Sequence, residues 1–446
     1  MNENNQTVVR DARKLGIPKM LILGIQHMFA MFGATILVPI LVSGYFQAAC
    51  NEPLSRGLTV SVTLFCAGAG TLIFHLCSKF KVPAFLGSSF AFLGGFYTVA
   101  NLNSGMYADM GANEKAAYAC GGIVVAGIFY LVAALIFKIV GVNRVMRFLP
   151  PVVTGPIIIC IGLSLASSAI SNASTNWILA IAALAVIIIF NIWGKGMFKI
   201  IPILMGVVIS YVFALILNAF GVTNADGSAI LNFTSILVMA PIAIATMMEH
   251  VGDMSAISAT VDENFIADPG LHRTLMGDGL ATAFAGFLGG PANTTYGENT
   301  GVLELSKVYD PRVIRIAAGL AIVLSFIPKF SAVISTMPAA IIGGVSFMLY
   351  GMISAIGVRN VVENKVDLTK SRNLIIAGVI FVCGLGFSDG LTFTVAGTHI
   401  TLTALAIAAI AGILLNAILP GNDYNFGINP EGDQSRGVYV SNTDNK

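Results

Sequence analysis

Apolar runs of about twenty residues follow one another through nearly the whole chain, separated by short polar stretches that hold most of its charge. A helix crossing the roughly 30 Å hydrocarbon core of a bilayer needs about 20 such residues. Charged residues make up only 10% of the 446, against about 25% in a soluble domain, so water is not this chain's main solvent. The runs predict fourteen membrane segments at 20–44, 57–77, 84–101, 116–138, 148–169, 176–193, 199–220, 234–258, 271–290, 292–306, 311–328, 331–356, 373–389 and 398–419. All but the broken third and tenth read as helix. The fold class is therefore an all-α polytopic membrane protein.

The distribution of Lys and Arg tests that count, because adding or losing one segment would exchange the two sides beyond it. With the N-terminus inside, 21 of the 24 basic residues fall on the cytoplasmic side, and only Arg56, Lys115 and Lys329 fall outside. Both termini are thus expected in the cytoplasm, with the chain multi-pass in the cell membrane. Fourteen divides into two sevens, and an odd-numbered repeat inserts its second copy inverted. A faint echo supports this: Leu149-Pro150-Pro151 with Gly155 and Gly162 in the fifth segment, and Met337-Pro338 with Gly343, Gly344 and Gly351 in the twelfth.

Several function classes are excluded. Net charge is +2 and the basic residues form no stripe able to track phosphates, so nucleic acid is not an expected partner. Cys50, Cys66, Cys77, Cys120, Cys160 and Cys383 lie far apart with no histidine at metal spacing, which predicts no metal site and small apolar roles for the thiols. The polar residues 1–19 and the long first run predict retention, not cleavage, of the N-terminus.

Two segments do not read as ordinary spanning helices: Gly87-Ser88-Ser89-Phe90-Ala91-Phe92 in the third, and Gly289-Gly290-Pro291-Ala292-Asn293-Thr294-Thr295-Tyr296-Gly297-Glu298-Asn299 in the tenth. Gly, Pro, Asn and Thr disfavour continuous helix, and unwound backbone at membrane depth survives only where protein or a watery cavity surrounds it. Paired interruptions in corresponding places of two halves point to a transporter's binding site. Three carboxylates lie near them: Glu249 and Asp253, one turn apart on the eighth segment, and Glu298 beside the tenth segment's break. Two carboxylates on one helix face favour sharing a proton, and no Lys or Arg lies at membrane depth to neutralise them. His27 joins them as a candidate proton carrier. His250 is expected to hydrogen-bond within the structure, and Asp278, in Gly277-Asp278-Gly279, to act as a helix-end residue. Ser88 and Ser89 have no assigned histidine partner, so hydrolytic chemistry is not expected and the chain is not read as an enzyme.

Gln26 to Ala34, Phe85 to Phe92, Glu249-His250-Val251-Gly252-Asp253, Asp268 to Arg273 and Asn293 to Asn299 together resemble the nucleobase:ascorbate transporter family, most closely its uracil-carrying branch. The resemblance spans almost the whole chain. It implies short antiparallel strands in segments 3 and 10, and a core domain (20–138 and 234–328) beside a gate domain (148–220 and 331–419), with tails at 1–19 and 420–446. It further implies a symporter that dimerises through its gate and moves its core as an elevator, in contact with membrane lipid. Carried over residue by residue, Glu249 and Glu298 bind the base, the backbone at Phe90 and Gly297 donates hydrogen bonds, Ala34 and Tyr350 line the pocket, and Glu249, Asp253 and His27 take part in proton coupling. The implied activity is import of uracil with a proton, with no cofactor besides that proton. One position departs from the pattern: Asp253 stands where uracil carriers often have His, as in purine carriers, whereas Glu298 is the pyrimidine-like form. A xanthine or purine symporter is therefore the alternative, and an anion transporter of the sulfate type a more distant one.

Overall fold

The computed structural model describes residues 8–54, 57–103, 107–195, 202–218, 239, 241–327, 329, 339–387, 390–395 and 398–421, without the side chains of 143, 214–218, 298, 305, 394–395 and 398–400. Its helices are α1 (Ile17–Cys50), α2 (Val60–Cys77), α3 (Leu93–Ala100), α4 (Ala112–Val140), α5 (Val142–Met146), α6 (Pro151–Ser164), α7 (Ala166–Ser174), α8 (Trp177–Trp193), α9 (Pro202–Asn218), α10 (Ile242–Val261), α11 (Leu271–Phe287), α12 (Gly297–Ser306), α13 (Pro311–Ser325), α14 (Ala339–Glu363), α15 (Ser371–Gly386) and α16 (Ala404–Ile418). Four short strands complete it: β1 (Leu86–Ser88), β2 (Asn293–Thr295), β3 (Leu391–Val395) and β4 (Thr398–Leu402). Among the described residues, five stretches are helical, long and apolar enough to cross a membrane: 17–50, 60–77, 112–140, 151–174 and 339–363.

Most expected segments appear as helix, with shifted ends. Segment 1 extends from Ile17 to Cys50. Segment 5 divides into α6 and α7 at Leu165. Residues 234–238 of segment 8 and 331–338 of segment 12 lie outside the described residues, as do most of the tails.

The fourteenth segment is a correction. A continuous helix from 398 was expected, but β3 and β4 pair antiparallel, Leu391 with Leu402 through Val395 with Thr398, and helix begins only at Ala404. The cause is local. Thr392, Phe393, Thr394, Val395, Thr398, Ile400 and Thr401 are β-branched or aromatic and alternate apolar with polar, a period of two that total hydropathy conceals.

Two sets of helices pack mainly among themselves. In one, α11 lies between α2 and α4, and α13 packs on α1 and α2. In the other, α14 packs on α6, α7 and α8, and α15 packs on α6 and α16. Glycines set the close approaches, as expected where small residues let helix backbones meet. A Cβ at Gly279 would lie 2.4 Å from Tyr130 Cβ, and one at Gly286 2.7 Å from the Cys120 carbonyl oxygen, so α11 fits α4 only with these side chains missing. Two glycines of the repeat echo, Gly155 and Gly162, do the same between α6 and α14: a Cβ at Gly162 would come within 2.2 Å of the Tyr350 carbonyl oxygen.

The polar N-terminal arm is anchored. Val9 pairs with Val308, the Ala12 amide donates to Asp310 at 2.7 Å, and Arg312 bridges Asp11 and Asp310 at 3.0 and 2.8 Å. Arg10 pairs with Glu263 and donates to the Val261 carbonyl, joining the arm to the end of α10. The Arg13 guanidinium holds the Asp11 carboxyl down at about 2, so this clasp keeps its charges throughout the physiological pH range.

The α11–α4 seam predicts that Gly279→Ala lowers stability by about 1–3 kcal/mol through overpacking. Thermal unfolding of the purified protein in detergent measures it; an unchanged midpoint would refute the tight seam.

Candidate functional site

The site begins at the two broken segments. β1 and β2, far apart in sequence, pair antiparallel, with Leu86 opposite Thr295, Gly87 opposite Thr294 and Ser88 opposite Asn293. The ladder extends one bond each way, from the Tyr296 amide to the Phe85 carbonyl at 2.9 Å and from the Ser89 amide to the Ala292 carbonyl at 2.8 Å. All six strand residues are buried. Each segment supplies the partners that the other lost by leaving the helix.

Side chains fix the sheet from outside. The Asn293 amide donates to the Cys66 and Ala281 carbonyls at 3.0 and 3.3 Å, and the Thr282 hydroxyl to the Asn293 carbonyl at 2.9 Å. On the other strand, the Leu86 amide donates to the Thr71 hydroxyl at 2.9 Å, and the Ser88 hydroxyl to the Thr35 carbonyl at 2.9 Å. Tyr296 crosses over to donate to the Ser88 carbonyl at 2.8 Å. A Cβ at Gly87 would lie 2.4 Å from the Tyr296 ring and 2.6 Å from the Thr35 hydroxyl. Only glycine leaves room there.

From the sheet the chain leaves into two half-helices, α3 after Phe92 and α12 after Tyr296, and neither starts with a side-chain cap. A helix N-terminus carries backbone N–H groups without helical partners and the positive end of the dipole. Two such ends therefore stand beside the strands with donors available to a ligand. Gly297, expected as a backbone donor, is the first residue of α12, and Phe90 lies just before α3.

Helix α10 brings up the carboxylates. Glu249 is partly exposed, and Asp253, one turn on, is buried at 8% exposure. A Cβ on Gly297 would stand 3.5 Å from Asp253 Oδ1, which sets this carboxylate against the start of α12. The backbone of Glu298 lies in the first turn of α12, and its side chain is outside the described residues. Ala34 is fully buried on α1, next to Thr35. Across from it, Tyr350 of α14 meets the Phe90 ring edge to face, with centroids 5.8 Å apart. The predicted residues Ala34, Phe90, Asp253, Gly297 and Tyr350 thus lie on the elements that converge here.

The predicted proton carrier His27 meets α12. It is buried on α1, and Asn299 of α12 donates to its carbonyl at 2.9 Å and lies 3.2 Å from its Nδ1. His250 does hydrogen-bond internally, with Nε2 3.0 Å from the Thr274 hydroxyl and Nδ1 3.2 Å from that of Thr295. Asp278 is not a helix-end residue. It lies in the middle of α11, fully buried, with Oδ2 3.1 Å from His250 Nδ1. This pair ties α10 and α11 to β2. Its flanking glycines suggested a helix end in the sequence, but they serve helix packing: Gly277 against Phe74, Gly279 against Tyr130. Thr274, Thr295, Tyr296 and Thr35 are the functional supports that sequence reasoning missed; the unbroken polar run Asn293–Thr295 was their one visible signal.

Chemically, the arrangement offers donors from two helix ends and acceptors from carboxylates, with the Phe90 and Tyr350 rings close by. It suits a small, flat, neutral molecule with alternating donors and acceptors. Gly87→Ala is expected to abolish ligand binding by displacing Tyr296 and parting the strands; a binding titration on folded protein with an unchanged affinity would contradict the role of that contact.

Comparison with known proteins agrees with this geometry. The family model described as "Permease family", for xanthine and uracil permeases, matches residues 18–393. The chain is 40% identical over 425 residues to the uracil permease of Bacillus subtilis, covering 89% of this chain and 91% of that one. It is 38% identical over 424 residues to the uracil permease of Bacillus caldolyticus, covering 90% and 91%. Among solved structures, the transmembrane domain of the cyanobacterial bicarbonate transporter BicA superposes with a TM-score of 0.56 at 14% identity, covering 92% of this chain and 99% of that one. The murine Slc26a9 anion transporter, in its inward-facing state, gives 0.58 at 10%, covering 94% and 73%. At such identities these two share a fold with the chain and nothing more is implied. This chain is an integral membrane protein that belongs to the xanthine and uracil permease family, the nucleobase:ascorbate transporters that its motifs resemble.

Proposed function

We propose that this permease imports uracil together with a proton. The observation that carries the reading is the pairing of β1 with β2 between two uncapped half-helices, with Asp253 against the start of α12. The uracil permeases among its relatives support the substrate. Uracil presents ring N–H donors alternating with carbonyl acceptors. Carboxylates of Glu249 and Glu298 would accept from the N–H groups, and backbone amides at Phe90 and Gly297 would donate to the carbonyls. Phe90, Tyr350 and Ala34 would enclose the ring. A neutral base needs no cationic partner, and no Lys or Arg occurs between Glu249 and Asp253 or beside Glu298.

A proton held by Glu249 would let the same carboxyl donate to one ring atom while accepting from another, so that base and proton each raise the other's affinity. Asp253, one turn away, is the second carrier, and His27 fixes α12 where the base is bound. Each proton entering with a neutral solute carries one charge, worth about 2.3 kcal/mol per 100 mV of membrane potential. The transport cycle follows from a division into a core (segments 1–4 and 8–11) and a gate (5–7 and 12–14), built as two inverted repeats of seven. The core, carrying strands, half-helices and α10, would slide against the gate as an elevator, with two chains joined through their gates and both termini in the cytoplasm.

A second reading, xanthine in place of uracil, is favoured by one residue: Asp253, typical of purine carriers, stands directly beside Gly297. Anion transport, despite the shared fold, suits a basic or neutral site better than one flanked by carboxylates.

Uptake of labelled uracil into proteoliposomes tests the proposal. Accumulation of intact uracil under an inward proton gradient, abolished by a protonophore, is the expected result. No uptake by folded protein would break the uracil reading, and block of uptake by excess xanthine would move the specificity toward purines. Glu298→Gln is expected to remove uracil binding; near-normal affinity in that variant would overturn the site assignment.

A further inference from the structure

Three neighbouring helices share one outward face. On α2 the exposed residues Leu72 and Leu76 lead to Lys79; on α4, Leu135 and Ile139 flank Lys138; on the antiparallel α11, Leu280 leads back to Arg273. Each apolar stripe thus ends, on the side predicted to be cytoplasmic, in a cation. The helices are held side by side by the glycine seams of α11, and Arg273 donates to the Cys77 carbonyl at 3.5 Å at the end of α2. The seams set Gly277 against Phe74 and Cys77 of α2 and Gly279 against Tyr130 of α4, so Arg273, Lys79 and Lys138 come to the same end of the three helices.

None of the three has a carboxylate partner among the described residues, whereas Lys81, two residues beyond Lys79, is paired with Asp268. Clustered like charges repel unless an anion joins them. A free anion would satisfy the charge and leave the stripes unused, whereas a lipid phosphate with its acyl chains fits both. We infer that the α2–α11–α4 face binds an anionic phospholipid of the cytoplasmic leaflet, its headgroup phosphate among Lys79, Lys138 and Arg273 and its chains along the three apolar stripes. This rests on the predicted sidedness and is independent of the substrate. The core would then carry a bound lipid on a surface away from the half-helices.

The test is retention of phosphatidylglycerol on the purified full chain, followed by native mass spectrometry during titration with phosphatidylglycerol or phosphatidylcholine. Wild type is expected to keep phosphatidylglycerol in preference to phosphatidylcholine. Lys79→Gln or Lys138→Gln, both at exposed positions, should weaken it about fivefold each, and the triple variant with Arg273→Gln about a hundredfold. Inorganic phosphate at millimolar concentration should not displace it. The single variants keep the test valid if the triple variant fails to fold. Equal retention of the two lipids, displacement by phosphate, or an equal loss in a control carrying Lys14→Gln, Lys19→Gln and Lys365→Gln would overturn the site. Uracil uptake plays no part in the readout, so this result and that of the transport assay fail separately.

Discussion

A backbone that leaves the helix inside a bilayer must find partners for its N–H and C=O groups, each costing several kcal/mol if left bare. In this protein the requirement is met by one three-residue sheet, β1 against β2. Much of the centre is arranged to protect that sheet. Asn293, Thr282, Thr71, Tyr296 and Thr35 hold its outer surfaces, and Gly87 admits the Tyr296 ring. Because the strands are short, both segments resume as half-helices that begin beside the sheet without a side-chain cap.

Charge is distributed by the same logic. The carboxylates Glu249 and Asp253 stand one turn apart on α10, with Asp253 beside the start of α12. Behind them, His250 and Asp278 form a fully buried pair that links α10, α11 and β2.

Much of this was legible in the sequence because the bilayer is a severe solvent. Apolar run lengths gave most helices, and the Gly, Pro, Asn and Thr clusters marked both interruptions and so the site. The motifs pointed to the family that the comparisons then showed. Where two demands overlapped, the sequence misled. At 391–402 the hydropathy suited a helix and the alternation a hairpin, and the β-branched residues prevailed. At Gly277-Asp278-Gly279 the glycines resembled a helix end, while their actual service was to let α11 press against α2 and α4.

What the sequence determined by itself is therefore the solvent, the broken segments and the residue types at the site, since these follow from local composition and from the cost of bare backbone in lipid. Only the tertiary structure decided which groups meet: Ser88 with Asn293, His250 with Asp278, Asn299 with His27, Phe90 with Tyr350. Those partners lie tens to hundreds of residues apart, and no local preference encodes them. They are selected by the packing of whole helices, whose glycine seams fix the register in which distant side chains come within hydrogen-bond or ring-contact reach.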